Sequence, residues 1–267
     1  MKLDFRGKVV MVTGSGRGIG LAFARAFAAR GAAVMLTDVD GARVRAEAKR
    51  LKEKGFTIAS IRHDVSVEGH WEEAVLRCST ELGGLDVLVN NAGIEETGLL
   101  ADFDLEVFRR MLDVNVAGVF LGLKHGLRAM RPGGSAGAGG AILNISSMAA
   151  VSAQAFLGPY GATKAAVERL TKVAAVESGK LGWDVRVNCL YPGFINSDIG
   201  EKLASDLVQM GFVESPKAAT NYFTQQTPLG RLGVADDLVG AALFLCSDAA
   251  GFITGGGLAV DGGAGLG

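Results

Sequence analysis

Cysteine is scarce in this chain: Cys78, Cys189 and Cys246 are the three, far apart and in no metal-ligand spacing. An odd, unclustered set argues against a disulfide framework and for free thiols in a reducing compartment. No basic tract or acidic tail stands out, and Lys plus Arg (27) nearly balance Asp plus Glu (28). Nucleic acid and an anionic membrane surface are therefore poor candidates as partners. No uncharged run reaches spanning length, and the opening Met1-Lys2-Leu3-Asp4-Phe5-Arg6 has no apolar h-region, so a cytoplasmic protein is expected. His63, His70 and His125 are scattered and suggest no metal site. No linker or repeat divides the chain. The low-complexity run from Pro132 to Gly140 is short and reads as a surface loop.

What is present is apolar and glycine-rich. Of 267 residues 49% are hydrophobic, and 39 are glycine. That is enough to bury a large core, and one domain over residues 1–267 is expected. The same composition fits tight packing or apolar surface covered in an oligomer.

Short β-branched runs alternate with longer helical patterns. Strands are expected at 8–13, 33–38, 57–63, 85–90, 141–146, 184–190 and 257–260. Helices are expected at 18–30, 43–54, 68–82, 105–130, 160–181 and 236–247. Continuous apolar strands alternating with helices imply an α/β fold, a parallel sheet covered by helices on both faces. Residues 197–227 interrupt the alternation with apolar, helix-prone sequence and read as a lid over a pocket.

The chemistry concentrates in Tyr160-Gly161-Ala162-Thr163-Lys164. Residues four apart on a helix share a face. An ammonium near a phenol favours the phenolate and lowers the tyrosine pKa from its usual value of about 10. Such a pair can move a proton on or off an alcohol. Ser147 stands thirteen residues upstream, just past an apolar run.

A second constellation follows the first strand. Thr13-Gly14-Ser15-Gly16-Arg17-Gly18-Ile19-Gly20 opens the first helix. It reads G-x-x-x-G-x-G from Gly14, with Gly16 as an extra glycine, not G-x-G-x-x-G. Glycines let amides approach a pyrophosphate, and a helix N-terminus favours that charge. An ordinary β–α turn is the alternative. Asp38 ends the second strand, eighteen residues after Gly20. A carboxylate there can accept from ribose hydroxyls and would repel a 2′-phosphate, which favours NAD over NADP. Arg17 is a counter-signal, and a helix N-cap is the plain alternative for Asp38. Asp64 and Val65 can cradle adenine or form a simple strand-end turn.

With these residues assembled, the chain resembles the short-chain dehydrogenase/reductase family from about Gly7 to Gly263. The motifs are the glycine turn, Asn90-Asn91-Ala92-Gly93, Asn115, Ser147, the Tyr160–Lys164 run and Pro192-Gly193. The resemblance implies a Rossmann-like, doubly wound sheet of about seven strands, a nicotinamide cofactor, and a homotetramer or homodimer. It implies Tyr160 as acid/base, with Lys164 binding the nicotinamide ribose and lowering the tyrosine pKa. By the same resemblance Ser147, not Ser146, holds the substrate oxygen, and Asn115 holds a water in a proton relay. Asn91 and Gly93 would lie along the adenosine side, and Pro192, Gly193 and Ile195 would shape the nicotinamide pocket. Ser197 stands where the family often has a carboxamide-binding threonine. Taken singly, Asn115 also reads as a helix kink, Ser147 as a turn residue and Pro192-Gly193 as a turn.

Apolar residues near Ser147, Tyr160 and the lid, among them Phe156, Leu157, Phe194, Leu203, Leu207 and Phe223, suggest a hydrophobic alcohol or ketone, cyclic or steroid-like. Two alternatives stand beside this NAD-dependent dehydrogenase. Arg109 and Arg110 suggest a 3-oxoacyl-[acyl-carrier-protein] reductase, whose NADP habit fits Asp38 poorly. A non-catalytic NAD-binding sensor would be expected to have lost part of the Asn115, Ser147, Tyr160, Lys164 set, which is intact.

Overall fold

Seven apolar runs form strands because β-branched residues fit a pleated sheet and turn residues bound each run. They are β1 (Val9–Thr13), β2 (Ala33–Asp38), β3 (Ile58–Arg62), β4 (Val87–Asn90), β5 (Gly140–Ile145), β6 (Val185–Pro192) and β7 (Gly257–Val260). The computed structural model describes residues 3–137 and 139–266. Met1, Lys2, Ala138 in the glycine-rich loop and Gly267 at the end lie outside the described residues. All seven strands pair in parallel, in the order β3-β2-β1-β4-β5-β6-β7. The chain runs outward from β1 to β3, then returns to place β4 on the other side of β1. That reversal opens a crevice at the carboxyl ends of β1 and β4.

Nine α-helices cover the described sheet: α1 (Gly18–Ala28), α2 (Gly41–Glu53), α3 (Glu68–Arg77), α4 (Leu105–Met111), α5 (Gly118–Met130), α6 (Gly158–Lys180), α7 (Asp198–Gln209), α8 (Pro216–Gln225) and α9 (Ala235–Cys246). Successive strand side chains point to opposite faces. Val10 and Val12 therefore join one core with Phe23, Phe27 and Leu243, while Val9 and Met11 join the other with Trp71 and Met130. Because both faces are buried, the strands are apolar throughout.

The expected helix over 105–130 is interrupted. A π-turn at Leu112–Ala117 separates α4 from α5 and contains Asn115. π-turns inside helices are frequent at functional sites. The expected helix over 68–82 likewise ends in a π-turn, Cys78–Leu82. The 197–227 excursion holds α7 and α8, capped by Ser197 and Ser215. No helix among the described residues is long and apolar enough to cross a membrane.

A buried polar ladder ties β4 and β5 to α6. Asn90 Nδ2 donates to Asn144 Oδ1, and Asn144 Nδ2 to Thr171 Oγ1, both at 2.8 Å. Truncating the middle member strands polar groups on both sides in a dry interior. Asn144→Ala is expected to cost about 2–4 kcal/mol, read as a lowered midpoint of thermal or urea unfolding. An unchanged midpoint would show that the ladder contributes nothing net.

Candidate active site

The glycine turn is shaped by crowding. Gly14 and Gly18 adopt φ of +62° and +55°, the left-handed region that favours glycine. A Cβ on Gly20 would run into the Gly14 carbonyl and come within 2.6 Å of Asn91 Nδ2. Asn91 secures the turn, donating through Nδ2 to the carbonyls of Thr13 (2.9 Å) and Gly14 (3.2 Å). Thr13 Oγ1 accepts from the N–H groups of Asn91 and Ala92, each at 3.0 Å. The Asn91 amide is thus spent on holding the turn rather than pointing to a ligand. Ile19 packs against the core from the first turn of α1.

Asp38 bends toward the same turn. Its Oδ2 accepts from Gly16 N–H at 2.9 Å and its Oδ1 from Asp40 N–H at 3.0 Å. The cap of α2 is Asp40, which accepts from Arg43 N–H, so Asp38 is free of that duty. Arg17 forms an ion pair with Asp198 at the start of α7, linking the glycine turn to that helix. Asp64 is a turn residue here. Its Oδ1 accepts from the N–H (3.0 Å) and hydroxyl (2.7 Å) of Ser66, which hold its carboxyl below the usual range. Val65 is buried, and its carbonyl accepts from Trp71 Nε1 at 2.9 Å. Ser66 thus engages one of the two carboxylate oxygens of Asp64 in the segment expected to cradle adenine. His63, at the end of β3, is pushed down to about 4 by burial, and its Nε2 has no partner among the described residues.

At the far side of the crevice, Asn115 organises the site. Its Oδ1 accepts from Ile94 N–H at 2.9 Å, and its Nδ2 donates to Ile94 O at 2.8 Å and Thr163 Oγ1 at 3.1 Å. Gly93 passes close beside it: a Cβ there would lie 3.3 Å from Asn115 Oδ1 and 3.4 Å from Lys164 Nζ. Lys164 is buried and donates to Ile145 O at 2.9 Å, with Nζ 5.6 Å from the centre of the Tyr160 ring. Ser146 is committed to Lys164 O at 2.9 Å. Ser147 Oγ instead accepts from Ala149 N–H at 3.1 Å and lies near enough to Tyr160 to favour its phenolate form.

The electrostatics correct one expectation. Burial pushes the Tyr160 phenol up from its usual value, and the neighbouring Glu95 adds to that rise. Burial also pulls Lys164 down to about 8, against the opposing influence of Glu95. Desolvation sets the direction for both groups.

Pro192 closes β6. A Cβ on Gly193 would lie 2.7 Å from Asp261 Cα, so the chain passes tightly beneath β7. Ile195 is buried and bridges to Gly233. Ser197 Oγ accepts from Gly200 N–H and donates to Ile195 O, both at 3.3 Å, so its hydroxyl caps α7.

The 197–227 segment packs against Tyr160 directly. Leu157, Leu203, Leu207 and Ala219 form an apolar cluster with Phe156, Tyr160, Phe194 and Phe223. Phe194 stacks on Phe223 with ring centres 4.0 Å apart. Met148 packs apart from this cluster, with Cys189 and Tyr191, and Val151 is exposed. Phe156 holds φ of +68°, a strained value for a bulky residue that marks functional ground. Sequence reasoning missed that strain. It also missed Glu95, whose only signal was an acid two residues past Gly93. It missed the grouping of His125 with Glu68 and Glu72, where Lys124 also pairs with Glu68. That group reads as a surface ion-pair cluster.

Sheet order, glycine turn and Tyr–Lys–Ser site together define a nicotinamide-type oxidoreductase of the Rossmann-like class. A family model described as Enoyl-(Acyl carrier protein) reductase matches residues 14–265. Cis-4-hydroxycyclohexanecarboxylate dehydrogenase of Sinomonas cyclohexanicum is 40% identical over 261 residues, covering 97% of each chain. The 3-alpha-(or 20-beta)-hydroxysteroid dehydrogenase of Mycobacterium bovis is 34% identical, covering 96% of this chain and 89% of the relative. A gluconate 5-dehydrogenase from Burkholderia cenocepacia, solved with NADP and tartrate, superposes with a TM-score of 0.87 at 32% identity, covering 99% of this chain and 98% of that one. The chain belongs to the short-chain dehydrogenase/reductase family.

The glycine turn gives the sharpest test of the cofactor site. Gly20→Ala is expected to weaken dinucleotide binding at least about tenfold, because the turn must open to admit the methyl group. Titration of nucleotide fluorescence measures it, and unchanged affinity would place the cofactor elsewhere.

Proposed function

We propose that this protein is an NAD-dependent dehydrogenase that interconverts a secondary alcohol, cyclic or steroid-like, and its ketone. The observation that carries the reading is the Tyr160–Lys164–Ser147 group set directly under the apolar lid cluster. Relatives named as dehydrogenases of a hydroxycyclohexanecarboxylate and of hydroxysteroids support it.

The residues fit a dinucleotide. Gly14, Gly18, Gly20 and Gly93 leave backbone open where a side chain would intrude or strain, and α1 offers its N-terminus. The Asp38 carboxylate beside Gly16 would receive ribose hydroxyls and repel a 2′-phosphate, hence NAD in preference to NADP. Pro192, Gly193, Ile195 and Ser197 would border the nicotinamide. When bound, the oxidised nicotinamide supplies a hydride acceptor and a positive charge.

The chain's own residues do the rest. Tyr160 takes the hydroxyl proton in oxidation and returns it in reduction. Ser147 and Tyr160 hold the oxygen and stabilise charge developing on it. Lys164, fixed by Ile145 O, favours the phenolate against the burial that opposes it. Asn115 holds Ile94 and Thr163 so that the β4 segment and α6 keep their distance. The lid excludes water and favours an apolar substrate body.

The acyl-carrier reading is less well supported. Arg109 pairs with Glu106 and Arg110 with Glu96, so neither stands ready for an acidic carrier. The sensor reading gains nothing from a site with every reactive group in place. A homotetramer or homodimer is supported by exposed apolar side chains, Phe120 on α5 and Val173 and Val176 on α6. A reducing, cytoplasmic setting is supported by three cysteines that are free and buried.

One experiment tests the reading: reduced-nicotinamide absorbance with NAD or NADP and a panel of cyclohexanols, hydroxysteroids and 3-hydroxyacyl thioesters. NAD-linked oxidation of cyclic or steroid alcohols is expected. Tyr160→Phe should lower kcat by about 100-fold or more while NAD still binds. Asp38→Ser should shift the kcat/KM ratio toward NADP by about tenfold or more. Activity confined to NADP and acyl thioesters would overturn the proposal.

A further inference from the structure

The proposed reaction uses one oxygen of the substrate, yet the segment that follows Gly93 carries further polar groups that no described residue satisfies. Glu95 follows Ile94, whose N–H and C=O are both clamped by Asn115. Its Oε1 is buried and has no hydrogen-bond partner among the described residues. Thr97, two residues on, buries an Oγ1 that is likewise unpartnered. Glu96, between them, is fully engaged with Arg110 at 2.7 Å and Lys202 at 2.9 Å. The segment is fixed again where Gly98 N–H donates to Phe156 O at 2.9 Å. Backbone anchors on both sides therefore set where Glu95 and Thr97 sit, beside the residues that lead into α6.

The surroundings of Glu95 identify what would satisfy it. Tyr160 and Lys164 of α6 and Lys202 and Asp206 of α7 all bear on its carboxyl, with Glu96 beside it in the chain. A buried carboxyl acceptor left unpaired is costly, and proteins keep such groups where a ligand completes them. With Lys164 and Lys202 already near, a further cation is disfavoured, and an ionised substrate carboxylate has no hydrogen to donate to an unpartnered acceptor. A neutral hydroxyl is the donor that fits, and Thr97 Oγ1 offers it a second contact.

We propose that Glu95 determines specificity by accepting a hydrogen bond from a second hydroxyl of the substrate, so that cyclic diols are preferred over monofunctional alcohols. The proposal rests on the dehydrogenase reading above. It names Glu95 as a substrate-binding residue, apart from the proton transfer assigned to Tyr160.

The test compares kcat/KM with NAD for cyclohexanol, the cyclohexane-1,2- and 1,4-diols and 4-aminocyclohexanol, in the wild type and in Glu95→Gln and Glu95→Leu. At least one diol is expected to exceed cyclohexanol by about tenfold or more in the wild type, because a site built to bind a hydroxyl discriminates against its absence. Glu95→Leu should bring that ratio to within about threefold of unity, with Glu95→Gln between the two. Thermal unfolding gives a readout independent of turnover. Removing an unpartnered carboxyl should raise the midpoint of Glu95→Leu without ligands. Saturating diol with NADH should raise the midpoint of the wild type more than that of the variant.

Equal kcat/KM for diols and cyclohexanol in the wild type, or a diol preference that survives Glu95→Leu, would overturn the proposal. A preference for the amino alcohol would also overturn it, assigning Glu95 to cation recognition. If no alcohol is oxidised with either cofactor while the diol still stabilises the wild type more than Glu95→Leu, the dehydrogenase reading fails and diol recognition by Glu95 stands.

Discussion

Asn115 joins three parts of the molecule through one carboxamide, and the geometry of the crevice depends on it. It accepts from and donates to Ile94 while reaching Thr163 on α6. The π-turn at Leu112–Ala117 carries it there, wholly buried. Thr163 Oγ1 in turn donates to Tyr160 O at 2.7 Å. The segment after β4, the interrupted α4–α5 helix and the start of α6 are thereby held in fixed relation. Gly93, Glu95, Tyr160 and Lys164 owe their mutual placement to that junction.

Around the junction, burial and charge pull in opposite directions. Desolvation raises Tyr160 and lowers Lys164, so each reactive group is pushed toward its neutral form. Burial likewise raises Glu95 to about 7, so three titratable groups share a poorly hydrated pocket. A core optimised for stability alone would have removed them. Phe156 at φ of +68° adds backbone strain at the same place. Local rules are broken where polar groups and lid meet, and kept in the two cores that flank the sheet.

The architecture was readable because parallel strands buried on both faces leave continuous apolar runs such as Val9–Thr13, and glycine-rich turns separate them from helices. Helix ends were less legible. Residues 105–130 carry one long helical pattern, and nothing in local propensity marks a π-turn in which Asn115 bonds across to Ile94. The site residues were legible as a set through their spacing. What each side chain does was not, because Asn91, Asp64 and Ser197 spend their polar atoms on Thr13, Ser66 and Gly200, partners that only the fold reveals. The tyrosine's upward shift was hidden for the same reason: it is set by burial and by Glu95, neither visible in a Tyr-x-x-x-Lys spacing.

The central claim is that this crevice moves hydride between an alcohol carbon and a nicotinamide. The most direct measurement oxidises a cyclic alcohol deuterated at its carbinol carbon in the presence of NAD and follows the label by NMR. The account predicts deuterium at C4 of the reduced nicotinamide and none in the solvent. Reduced cofactor without label, or label released to water, would contradict it.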